Sequence, residues 1–134
     1  MQRPNSEIYF LSMATLVASR STCRRRSVGC VLVNGDNHIL ATGYNGVASG
    51  LRHCVDKACS GASYASGKEL DKCEAIHAEQ NAILQCQNVL DIKTAYMTLS
   101  PCVNCIKLFL NTNCKSIIFL EDYTNDKIAV TKAA

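Results

Sequence analysis

Residues 94–120 read TAYMTLSPCVNCIKLFLNTNCKSIIFL: a β-rich run, a helical run and a second β-rich run in direct succession. Residues 94–99 and 116–120 are dominated by β-branched, aromatic and large apolar side chains, as half-buried strands require. Between them, Pro101 stands where a helix over 102–110 would open, because its missing N–H costs nothing there. Two strands joined by a helix pair in parallel through a right-handed crossover. This stretch therefore predicts an α/β fold with a sheet covered by helices.

The rest of the chain extends that pattern. Residues 76–87 place Ile76, Ile83 and Leu84 on one helical face, predicting a helix just upstream of the crossover. Residues 28–33 and 39–42 are apolar runs separated by Asn34-Gly35-Asp36-Asn37, and Asn-Gly between strands favours a tight hairpin. Residues 6–19 put Ile8, Leu11, Ala14 and Ala18 on one face, with Asn5 or Ser6 as N-cap after Pro4. Residues 125–132 read as a short final helix. The order α-β-β-α-β-α-β-α predicts a mixed central sheet of four to five strands in a three-layer α/β/α arrangement. Residues 43–74 are irregular, hold five of the seven glycines and three of the nine cysteines, and are long for a connection within one domain. Something must hold that stretch in place.

A chain of 134 residues with 48% hydrophobic content is of single-domain size and carries enough apolar material for one core, so residues 1–134 are read as one domain. The N-terminus has no basic stretch followed by an apolar one, and no apolar run approaches ~18 residues. These features predict a cytoplasmic protein without a membrane span. In a reducing compartment, nine cysteines are better read as metal ligands or reactive thiols than as disulfides. The net charge of only +3 argues against a nucleic-acid partner, while Arg24-Arg25-Arg26 would suit one phosphate-bearing ligand.

Chemistry is concentrated in His77-Ala78-Glu79 and Pro101-Cys102-Val103-Asn104-Cys105. Thiolates three residues apart at a helix start can face one zinc ion, and the helix N-terminus favours the thiolate form. Cys102, Cys105 and His77 make three ligands, which leaves a fourth position for water, the arrangement of a catalytic zinc. Glu79 is placed to act as the base. Side chains at i and i+2 diverge in mid-helix, so His77 and Glu79 can serve one site only if the helix begins at residues 75–77. A structural zinc knuckle is the plain alternative, but it needs neither Glu79 nor Pro101.

H-x-E followed by P-C-x-x-C is the signature of zinc nucleobase deaminases. With Ser21-Thr22-Cys23, Val28-Gly29, Gly43-Tyr44-Asn45-Gly46, His53-Cys54, the Gln80-Asn81-Ala82-Ile83 continuation and Asp122-Tyr123, the chain resembles the deoxycytidylate deaminase family over nearly its whole length. The resemblance implies a cytidine-deaminase-like fold and hydrolysis of dCMP to dUMP and ammonia, feeding thymidylate synthesis. It assigns catalytic zinc to His77, Cys102 and Cys105, and proton transfer to Glu79. It gives the base to Ser100 and the backbone at Ala78, the sugar to Asn45, and the phosphate and sugar end to Arg26 with Tyr123. It also implies a homohexamer activated by dCTP and inhibited by dTTP, with Mg on the regulatory triphosphate. A second, structural zinc would draw on Cys23, Cys54, Cys59 and Cys73, with His53 as a substitute ligand. A fifth strand and last helix of longer members are expected to be shortened or absent here. Cys30, Cys86 and Cys114 are read as small buried hydrophobes. A deaminase of another cytosine, guanine or adenosine substrate is the alternative.

Overall fold

A computed structural model describes residues 2–22, 26–47 and 75–121. Helix α1 spans Ser6–Ala18, followed by strands β1 (Gly29–Val33), β2 (Ile39–Tyr44), β3 (Gly46–Val47) and β4 (Ala75–Ile76). Helix α2 (Ala78–Gln85), a single 3-10 turn at Val89–Asp91, strand β5 (Thr94–Leu99), helix α3 (Val103–Leu110) and strand β6 (Ser116–Glu121) complete it. Four strands form one mixed sheet in the order β2-β1-β5-β6. β1 runs antiparallel to both β2 and β5, and β5 pairs in parallel with β6 through α3, as the crossover reading expects. β3 and β4 form a separate two-stranded ladder.

Alternation along β1 divides the core into two layers. Val31 and Val33 point to α1 and pack with Phe10, Leu11, Ala14 and Tyr96. Cys30 and Leu32 point the other way, into a cluster with Ala78, Ala82, Ala95, Met97 and Phe109 beneath α2 and α3. Helices thus cover both faces of the sheet, the three-layer arrangement expected. Two glycines permit the closest approaches. A Cβ at Gly29 would meet Ala14 O and lie 2.6 Å from Ala18 N of α1, and one at Gly43 would meet Ala82 N and lie 2.5 Å from Ala78 O of α2.

Several boundaries differ from the sequence expectation. The helix read over 76–87 begins at Ala78, because Ala75–Ile76 pairs with Gly46–Val47, and it ends at Gln85, where Cys86 turns extended at φ −81° and ψ 123°. β2 runs to Tyr44 rather than stopping at residue 42, so Gly43 is a strand residue under α2 and not the start of a turn. In the β1–β2 connection, Asn34 Oδ1 accepts from the N–H groups of Asp36 and His38, and the left-handed residue is Asn37 (φ 63°), not Gly35. Asn5 is the N-cap of α1, accepting from Ile8 N at 2.8 Å. The buried face of α1 is Phe10, Leu11, Ala14 and Ala18, while Ile8 is 55% exposed. Phe10 takes that place because Tyr96 lies opposite it, ring centroids 5.0 Å apart. The helix expected at 125–132 lies outside the described residues.

Candidate metal and active site

The N-termini of α2 and α3 open on the same side of the sheet. His77 is the N-cap of α2, in extended conformation at φ −64° and ψ 151°, so Ala78 is the first helical residue. The divergence that would separate His77 from Glu79 in mid-helix is thereby removed. Gln80 Oε1 accepts from His77 N at 3.0 Å, one arm of a capping-box pairing between these two residues. Cys102 is the N-cap of α3 and Cys105 lies in its first turn, with Pro101 one position ahead of the cap rather than at the first helical residue.

Three donor atoms converge. His77 Nδ1 lies 3.4 Å from Cys105 Sγ and 3.6 Å from Cys102 Sγ, and the two sulfurs are 3.5 Å apart. A tetrahedral zinc with ordinary Zn–N and Zn–S bonds requires separations of about 3.5–3.8 Å, so the residues fit this ion as they stand. Among the described residues this is the group of His, Cys, Asp or Glu side chains close enough to hold a metal.

The electrostatics agree with that use. The Cys102 thiol is pulled down to about 4, first by its hydrogen bond with Cys105 and then by His77. Cys105 is pushed up, first by that same bond and then by burial, with Glu79 adding to it. His77 is raised chiefly by its hydrogen bond to Cys102. Zinc ligation takes cysteines as thiolates and histidine as neutral imidazole, so binding at this group would release protons. Glu79 is only 4% exposed, and burial raises its carboxyl above the usual range, against the lowering effects of Cys105 and His77. A carboxyl in that state accepts and releases protons closer to neutral pH than an exposed one.

The other expected site residues are placed as follows. Ala78 (1% exposed) and Ser100 (3%) lie at the buried start of α2 and the end of β5, and Ser100 N donates to Glu121 O at 2.7 Å. Asn45 is buried; its Oδ1 accepts from Val28 N at 2.9 Å and its Nδ2 donates to Arg26 O. Arg26 borders a cavity of about 310 Å³ with Thr15, Ser27, Thr98 and Glu121, whose walls include none of the metal donors. Cys23, Cys54, Cys59, Cys73, His53 and Tyr123 lie outside the described residues. Cys30 and Cys86 are buried, and Cys114 is partly buried against the same core, as expected of packing cysteines. Sequence reasoning gave Gln80 no role, although a Gln at the third helical position after His77 is a capping-box signal. It also missed Asn81, whose Nδ2 donates to Tyr44 O at 2.8 Å across 37 residues, a distance for which no local signal exists.

A mixed four-stranded sheet carrying a His-Cys-Cys group and a buried Glu at two helix N-termini defines a zinc-deaminase type of protein. Residues 4–121 match the cytidine and deoxycytidylate deaminase zinc-binding region, and the chain belongs to that family. It is 40% identical over 92% of its length to the deoxycytidylate deaminase of Schizosaccharomyces pombe and 34% identical over 95% to that of Saccharomyces cerevisiae. It spans only 39% and 41% of those two proteins. It is 38% identical to the deoxycytidylate deaminase of Mycobacterium phage D29, covering 89% of this chain and 97% of that one. Among solved structures, dCMP deaminase from the cyanophage S-TIM5 in complex with dCMP and dUMP superposes with a TM-score of 0.73 at 27% identity, over 97% of this chain and 92% of that one.

Proposed function

We propose that this chain hydrolyses dCMP to dUMP and ammonia at a zinc held by His77, Cys102 and Cys105, with Glu79 as proton carrier. The observation that carries the reading is the zinc-sized triangle of His77 Nδ1 and two sulfurs beside a buried carboxyl of raised proton affinity. The names of the relatives select the substrate: curated deoxycytidylate deaminases at 34–40% identity and a structural neighbour solved with dCMP and dUMP.

When bound, zinc supplies a Lewis acid that makes water nucleophilic at neutral pH. The two thiolates offset the ion's charge, which leaves more of the activation to a base, and Glu79 fills that role. It takes a proton from the attacking water and delivers it to N3 of the cytosine ring as a C–O bond forms at C4. It then takes the proton of the new C4 hydroxyl and passes it to the exocyclic amine, so that the C4–N bond breaks, ammonia leaves and C4=O forms. Its burial keeps bulk water from competing for those protons. By resemblance, Ser100 and the backbone at Ala78 hold the base, Asn45 meets the sugar, and Arg26 with Tyr123 takes the phosphate and sugar end.

The same resemblance extends the proposal to one domain over 1–134, a cytoplasmic homohexamer, activation by dCTP, inhibition by dTTP with Mg on the triphosphate, and supply of dUMP to thymidylate synthesis. Among the described residues no helix is long and apolar enough to cross a membrane. A structural zinc on Cys23, Cys54, Cys59 and Cys73 completes the reading, and metal analysis near two zinc ions per chain supports it where one overturns it. Ammonia release measured with dCMP, deoxycytidine, guanine and RNA tests the substrate. Turnover confined to dCMP is expected, and turnover on another substrate in preference to it would move the assignment within the family. Rates with and without each triphosphate test the regulation, and a hyperbolic curve indifferent to both removes it.

A further inference from the structure

We infer that Asn81 is a positioning residue that sets the metal-ligand helix in register with the nucleotide side of the site. A connected run of hydrogen bonds passes through it. Asn81 N donates to His77 O at 3.0 Å, and Asn81 Nδ2 donates to Tyr44 O at 2.8 Å. The next residue, Asn45, donates to Arg26 O and accepts from Val28 N. Its backbone carbonyl also accepts from Thr22 N at 3.3 Å and Ser21 Oγ at 3.0 Å. The path thus runs from His77 to Ser21 and Thr22 and to Arg26 and Val28.

Packing makes Asn81 the place where this register is set. Gly43 brings the backbones of β2 and α2 into contact, with Ala78 and Ala82 directly above it. The apolar side chains packed at this contact, among them Ala78, Ala82 and Ile83 of α2 with Leu40 and Ala41 of β2, attract without directional preference. The bond from Asn81 to Tyr44 O, one residue beyond Gly43, is directional and opposes a slide along the contact. Gln80 fixes His77 from within its own helix and so holds the ligand locally, without reference to β2. Asn81 is a side chain that ties the helix by a hydrogen bond to the neighbouring strand. Its loss leaves the three metal donors together, since their geometry is set at the two helix caps, while the Tyr44–Asn45 corner shifts against them.

The inference rests on the dCMP reading, and the test separates the two. Steady-state kinetics on dCMP are compared for the zinc-loaded wild type, Asn81→Ala and the nearly isosteric Asn81→Asp, which cannot donate to Tyr44 O. Absorption of the cobalt(II)-substituted proteins reports the donor set independently of activity. Expected are a KM raised about tenfold in both variants, a smaller change in kcat and an unaltered cobalt spectrum, with partial recovery of KM in Asn81→Gln, which restores a donor. Asn81→Asp supplies the reading if Asn81→Ala fails to fold. Unchanged KM in the folded variants overturns the inference, as does a cobalt spectrum that changes with KM, because Asn81 would then serve the metal. A wild type inactive on dCMP overturns the proposed function and this inference with it, whereas an active wild type with indifferent variants overturns the inference alone.

Discussion

His77 Nδ1 lies 3.4 Å from Cys105 Sγ, although 28 residues of chain separate them. The two belong to different helices, α2 and α3, whose N-termini meet over the sheet. Each stands at the start of its own helix, His77 as the N-cap of α2 and Cys105 in the first turn of α3, so the meeting of the two helix N-termini brings the donors together.

That relationship bears on metal removal. The two apolar layers flanking the sheet do not depend on the metal donors, except that Cys105 is itself buried. Chelation should therefore abolish turnover and lower the melting temperature while leaving the far-ultraviolet dichroism of helices and strands in place. Zinc should restore both, with stabilisation growing with free zinc by mass action. Cys102→Ser should weaken zinc by more than ~100-fold in competition with a chromogenic chelator. Collapse of the secondary structure on chelation would instead mark a purely structural ion.

Glu79→Gln keeps the size of the side chain and removes its proton. Zinc content should match the wild type while kcat on dCMP falls roughly a thousandfold or more. Retained turnover would remove Glu79 from the mechanism.

Gly43→Ala tests the contact between β2 and α2. The added carbon meets backbone atoms of Ala78 and Ala82, which cannot rotate away. A loss of about 3 kcal/mol is expected, or about 10 °C in melting temperature for a chain of this size. Gly35→Ala, whose nearest neighbour would be the flexible Lys93 side chain at 3.6 Å, should by comparison cost little.

Cys30 predicts an alkaline limit to stability. Its thiol is pushed well up, first by burial and then by the nearby charges of Glu79 and Cys114. In the unfolded chain the thiol ionises near its ordinary value of about 8.5, while the folded chain keeps the proton. Above that pH the unfolded state binds fewer protons, so stability present at lower pH is lost as pH rises, by up to about 1.4 kcal/mol per pH unit for this group. Urea denaturation of the reduced protein from pH 7 to 10 should show the decline. Cys30→Ala should cost about 1 kcal/mol at pH 7 yet flatten the slope. An equal slope in the variant would show that other groups cause it.

The strand-helix-strand unit at 94–120 was legible because its signals are local: β-rich runs, a proline before a helix and cysteines three apart at its start. The helix start at His77 was legible from a chemical demand, since His77 and Glu79 can share a site only outside mid-helix. Boundaries at 43–44 and 75–76 were not, because they are decided by pairing and packing across the fold. Gly43 reads as a turn residue until α2 is seen resting on it, and Ala75–Ile76 reads as helix until its ladder partner Gly46–Val47 is known. Ile8 and Phe10 are equally apolar, and only Tyr96 opposite chooses Phe10.

By itself the sequence determined the chemistry: three soft or borderline donors suited to zinc, a carboxyl two residues from one of them, and the two helix starts that present them. Tertiary structure decided which atoms meet. It turned Nδ1 of His77 toward the two cysteine sulfurs, buried Glu79 enough to raise its proton affinity, turned Asn45 onto the backbone of the 26–28 segment and brought Asn81 to Tyr44. Ligand identity is a property of residue type and spacing. Donor atom, burial and hydrogen-bond partner depend on strand order and register, which bring residues tens of positions apart to within 4 Å.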